Sequence, residues 1–182
     1  MLVWWLLGGL VVVLGLVTVH YYNRFVTLEN RCNEAWSNVD TELKRRHDLI
    51  PNLVAAVQGY AKHERSLFTA ITKARATAMQ DRQAGHHEGR AEAHLVGLLD
   101  KLVAVAEDYP ALQASGNFLE LQKELAITED RIQAARRFYN GNVRDHRNAT
   151  RQFPGTVFAA WFKPAQQEFF EAEAVHVPQV GL

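Results

Sequence analysis

The chain has 182 residues, with 20 Lys or Arg balanced by 20 Asp or Glu, and a single cysteine. Five prolines and no Gly/Ser-rich linker at this length point to one globular domain. The even mixture of charges argues against a nucleic-acid binder, which carries a basic stripe or patch, and Cys32 alone cannot close an intramolecular disulfide.

The first element is apolar. Leu2–Val19 reads "LVWWLLGGLVVVLGLVTV", and the first charged side chain after it is Arg24. This run has the minimum length of a membrane-spanning helix, and Met1 and His20 extend it. Trp4 and Trp5 open the run and Tyr21 and Tyr22 follow it, a separation of roughly 25 Å at about 1.5 Å per residue. Both aromatic pairs therefore suit membrane interfaces. A signal peptide would need a basic n-region and an A-x-A-like exit, and neither is present. Residues 1–20 are read as a retained anchor. Arg24 and Arg31 bias the following domain toward the cytoplasm.

From Tyr21 onward, Phe25, Leu28, Cys32, Ala35 and Val39 keep three-four spacing, so the anchor continues into a soluble helix. Pro51 disfavours helix at Ile50 and suits a first turn. The first helix is accordingly predicted to end near His47 and the second to run from Pro51 to about Gln80. Leu43, Ile50 and Val57 are spaced by sevens across Pro51, however, which leaves a continuous kinked helix open. Residues 81–90 read as a loop, and His94 to Ala106 as a third helix. A fourth follows the seam Phe118, Leu121, Leu125, Thr128, Ile132, Ala135, Tyr139, Asn142, His146, Ala149 and Phe153 until Pro154 stops it.

Four helices with short connections predict an all-α antiparallel up-down bundle over residues 21–153, with a short amphipathic segment and tail over 154–182. In that arrangement the 47–51 turn lies roughly 40 Å out from the bilayer at about 1.5 Å per residue, whereas the 81–90 loop and the end of helix four return to it. Lys44, Arg45 and Arg46 then occupy a helix's last turn, favourable with its dipole, and Arg45 or Arg46 is predicted to pair with Glu120 or Glu124.

Chemistry-bearing constellations are few. Val157, Phe158, Trp161 and Phe162 form either an interfacial amphipathic segment, with Trp161 at headgroup level, or a plug folded onto the bundle's end. With Phe169 and Phe170, the apolar members are the candidate oligomer, partner or lipid contacts. His86, His87, Glu88 and His94 fit no standard metal spacing, and His86, His87, Arg82 and Arg90 could instead meet headgroups. The single Glu-x-x-His, Glu173 to His176, is too little for a di-iron bundle. No nucleophile elbow, phosphate loop or zinc-protease motif occurs. Cys32 reads as packed, and Tyr139, Asn142 and His146, with Thr128, as a polar seam. The expectation is no enzyme, no cofactor and no metal.

The stretch "YYNRFVTLENRCNEAWSNVDTELKRRHDLIPNLVAAVQGYAKHE", Tyr21 to Glu64, resembles the signature of the LemA family, as do Tyr109 to Asn148 and Phe153-Pro154. The 81–90 loop and the tail after Gln166 match least well. The resemblance implies an N-terminal anchor followed by a helical bundle in a bacterial inner membrane, and no established enzymatic activity. It also implies partners among envelope proteins encoded nearby. The function expected is a self-associating, membrane-anchored scaffold of the cell envelope. The alternative is a tethered adaptor or signalling module that binds a partner through its bundle face.

Overall fold

The computed structural model describes residues 1–83 and 89–170. His86, His87, Glu88, Glu173 and His176, singled out above, lie outside the described residues. Six helices are described: α1 (Leu2–Gln58), α2 (Arg65–Gln83), α3 (Arg90–Glu107), α4 (Pro110–Gln113), α5 (Gly116–Arg151) and α6 (Gly155–Phe162). No strand occurs among the described residues. The all-α class holds, but composition predicts one domain where the chain divides into two compact units. One contains Met1–Ser37 and Arg137–Phe169; the other contains Asn38–Arg136 and extends from Phe170.

The predicted turn at 47–51 is not present. Pro51 lies inside α1, which continues to Gln58. A proline there removes one N–H and drives its ring toward the carbonyl four residues back. That carbonyl belongs to His47, and Arg75 Nε of α2 donates to it at 2.8 Å. Pro51 itself faces solvent while Ile50, Leu53, Val54 and Val57 are buried. A borrowed donor and an outward-facing ring let the helix pass through. The chain turns instead at Gly59, where the carbonyl of Val57 accepts from Tyr60 and Ala61.

In the second unit, Ile50, Leu53 and Val57 of α1 share a core with Phe68 and Ile71 of α2, Leu95, Leu99 and Leu102 of α3, Leu112 of α4, and Phe118 of α5. Pairing of His47 with Arg75 and of Asp40 with Arg82 sets α1 and α2 antiparallel. Four helices, α1, α2, α3 and α5, thus meet around one core, with the short α4 between α3 and α5.

The first unit is built on α1 and α5. Trp36 meets Tyr139 edge-on at 5.4 Å, while Phe25, Leu28 and Ala149 form a second core. Higher residues of α1 thus face lower residues of α5, an antiparallel pair. The seam of α5 is close to the one predicted, with two exceptions. Val143, rather than Asn142, takes the buried position, and Phe153 is exposed. Asn142 bonds the carbonyl of Phe138 in its own helix.

Candidate functional site: the collar at the exit of the apolar span

The N-terminal part of α1 is the one helix long and apolar enough to cross a membrane among the described residues. Its side chains face outward throughout, including Trp4 and Trp5. Thr18 Oγ1 donates to the carbonyl of Leu14 at 2.8 Å, so the hydroxyl is satisfied within its own helix.

Immediately after this span, α6 folds onto α1. Tyr21 stacks on Phe158 with ring centroids 4.7 Å apart, and Tyr22 meets Phe162 edge-on at 5.3 Å. Phe158, Ala159 and Phe162 pack on the Phe25–Leu28–Ala149 core. Gly155 makes the approach possible: a Cβ there would fall 2.0 Å from the carbonyl oxygen of Ala149. Two readings of this segment were open, and each claims one of its faces. Phe158 and Phe162 are the plug, not free contacts. Trp161 (78 % exposed) and Val157 (58 %) point outward.

The other aromatic candidates are also committed. Phe170 is buried beneath the Arg136 guanidinium, 4.3 Å from its ring centroid. Phe169 carries Arg147 over its ring at 4.5 Å. Cation–π packing of this kind takes them out of the pool of free apolar contacts.

Cations surround the same end of the first unit. Arg24 and Arg31 border a shallow cleft with Asp145. Arg147, Arg151 and Lys163 line another, with His146 in its wall. Tyr139 is buried, donates to the carbonyl of Glu168 at 2.8 Å, and has its pKa pushed up to about 12, chiefly by burial. Burial lowers the pKa of His146, with Glu29 opposing. Cys32 is buried and its thiol pKa is raised, first by burial and then by Glu29 and Asp145. These groups are packing elements of the α1–α5 pair.

The second unit holds a cluster that local sequence signals miss. Arg46 is buried, paired with Glu92 of α3, and 2.8 Å from Glu129 of α5. His47 Nε2 lies 3.0 Å from Glu92. Burial pushes the Glu92 carboxyl up, but its bond with His47 and the Arg46 charge outweigh this and hold it below the usual range. The predicted partners were Glu120 and Glu124. Both are exposed, while Arg45 pairs with Glu42 of its own helix. Because α1 does not end at His47, Arg46 continues the buried series Val39, Leu43, Arg46, Ile50, a step of four, three and four. That spacing was the available signal.

Arg82, one of the candidate headgroup contacts, is held by Asp40 at 2.8 Å. His94 is exposed.

An apolar span running without a break into a packed helical unit, with aromatic and cationic side chains at its exit, defines a membrane-associated helical protein. A profile of the LemA family matches residues 35–181, and the chain belongs to that family. The match extends through the tail, where the sequence resemblance looked weakest. The chain is similar to Magnetosome protein MamQ of Magnetospirillum gryphiswaldense, 25 % identical over 163 residues, covering 76 % of this chain and 60 % of the relative. Magnetosome protein MamQ 2 of Paramagnetospirillum magneticum is likewise 25 % identical over 177 residues, 82 % of this chain and 64 % of that protein. The chain thus spans under two-thirds of the length of these curated relatives.

Proposed function

We propose that this protein is a single-pass scaffold of the bacterial inner membrane that self-associates, helps organise the membrane or envelope, and acts without catalysis. The observation that carries this reading is the continuity of α1. The apolar span and the helix that packs against α5 and α6 are one element, so contacts made by the packed unit act directly on the anchor. Anchoring removes most of the search cost of association, and modest contacts then suffice. Trp161 and Val157 are the outward apolar side chains suited to such contacts. The relatives named as magnetosome proteins are consistent with a role in organising a cellular structure.

The test is particle mass in nanodiscs and in several mild detergents. A defined oligomer is expected, shifting toward monomer in a V157S/W161S variant of unchanged helicity. A strictly monomeric protein in every environment would remove self-association from the proposal.

The adaptor reading has its own support. In the second unit a cleft of about 270 Å³ lies between α3 and α5, walled by Val96, Leu99, Val103 and Leu125, with Arg46 and Glu129 at its edge. An apolar groove with a few polar groups suits a partner's side chain. Capture of one stoichiometric partner by a protein that stays monomeric would favour this reading over the scaffold.

A further inference from the structure

The last two turns of α5 and the segment after α6 enclose a cleft of about 490 Å³ in the first unit. Three cations line it: Arg147, Arg151 and Lys163. None of the three has an ion-pair partner among the described residues. Glu168 is the one acid on the wall, so positive charge predominates. Arg147 is further constrained by its stack on Phe169, and the Thr150 hydroxyl is committed to the carbonyls of His146 and Arg147.

His146 also borders the cleft, but it is buried and its Nε2 is closed to solvent. The guanidinium and ammonium groups that line this concavity are a donor set for an oxyanion.

The cleft's position indicates the anion. Ala159 and Lys163 bring α6 and its C-terminal cap to the wall. The same helix packs Phe158 and Phe162 on Tyr21 and Tyr22, the first residues beyond the apolar span, and turns Trp161 outward. Lys163 directly follows Phe162 and so lies at headgroup depth if the span crosses a bilayer, and Arg147 and Arg151 share its cleft.

We propose that Arg147, Arg151 and Lys163 form a phosphate-binding cleft whose ligand is the phosphodiester of an anionic membrane lipid. This rests on the membrane-anchored reading above. It adds a defined headgroup site to the general attraction between basic residues and an anionic surface.

Full-length protein is placed in nanodiscs of phosphatidylcholine with and without phosphatidylglycerol, and retained lipids are counted by native mass spectrometry. In parallel, the protein in neutral detergent is titrated with short-chain phosphatidylglycerol or with inorganic phosphate while the melting temperature is followed. Arg151 and Lys163 are exposed, so R151Q/K163Q removes charge without touching the core. K101Q, at an exposed position of α3 that lines no described cleft, controls for net charge. The wild type is expected to retain phosphatidylglycerol and to melt higher with it. R151Q/K163Q should bind it about thirtyfold more weakly, since each basic residue near the surface contributes about 1 kcal/mol and about 1.4 kcal/mol is tenfold, and K101Q should bind as wild type. Stabilisation by inorganic phosphate, lost in R151Q/K163Q and without preference for the lipid, would keep the anion site and overturn the lipid source. Equal binding by R151Q/K163Q, or an equal loss in K101Q, would overturn the cleft altogether. Failure of the wild type to enter nanodiscs would instead count against the anchor, and then also against a lipid ligand. The detergent titration with phosphate still decides the anion site in that case.

Discussion

Arg46 concentrates the electrostatics of the second unit in one side chain. It is buried, and its guanidinium joins α1 to Glu92 of α3 and Glu129 of α5. A buried ion pair is not in itself a large source of stability, but removing one partner strands the other's charge in a low-dielectric interior. Arg46→Ala is therefore expected to cost about 3–5 kcal/mol in urea unfolding, whereas Arg45→Ala, whose partner Glu42 is on the same helix, should cost about 0.5 kcal/mol or less. A loss below about 1 kcal/mol for Arg46→Ala would show that the cluster relaxes around the gap. The sign of the pH dependence follows from Glu92. Its carboxyl is held below its unfolded value by His47 and Arg46 despite burial, so its stabilisation is present above about pH 4.3. It is lost as the pH falls further, and Arg46→Ala should flatten that acid slope. This cluster was half legible. The charge run at 44–46 is conspicuous in the sequence, and the spacing of Val39, Leu43 and Ile50 places Arg46 on the apolar stripe. Its partners were not legible, because Glu92 and Glu129 come from helices whose register depends on where α1 ends.

At the scale of elements, Pro51 decides that register. Local rules treat proline as a boundary because it forfeits a backbone bond and crowds the preceding turn. They contain no information about a donor arriving from another helix. Here Arg75 Nε supplies the bond to the His47 carbonyl, so a tertiary contact overrides a local preference. A double-mutant cycle tests the coupling. Arg75→Leu should destabilise the wild type by about 1–3 kcal/mol, the cost of an unsatisfied carbonyl. In a Pro51→Ala background, where residue 51 has its own N–H, the same change should cost about 1 kcal/mol less. Equal costs in both backgrounds would mean that the carbonyl is served by solvent. Gly155 was equally silent in the sequence. "FPG" marks a turn, but the close approach to the Ala149 carbonyl appears only when α6 folds back on α5. By contrast, the α5 seam was readable over most of its length, since a long regular stripe constrains its own register. Its misplacement of Asn142 for Val143 is a shift of one residue, at the point where three-four steps can be counted in either order.

At the scale of the molecule, charge near the span makes the last prediction, which side of the membrane carries the helical units. Arg24 and Arg31 follow the apolar run. Basic residues close to a span favour retention on the cytoplasmic side during insertion. The folded first unit adds Arg147, Arg151 and Lys163 to the cations at that end. These cannot direct insertion, because α5 is made later in the chain, but they suit the anionic cytoplasmic leaflet once the unit has folded. Insertion and folded-state electrostatics therefore favour the same orientation. A fluorescent protein fused after Leu182 should be bright, and alkaline phosphatase at the same position inactive. Reversing the two flanking charges in R24E/R31E should raise phosphatase activity by populating the opposite orientation. If the wild-type phosphatase fusion is active, the units face outward. The cations of the first unit would then meet the outer face of the membrane, and any partners would have to be sought on that side.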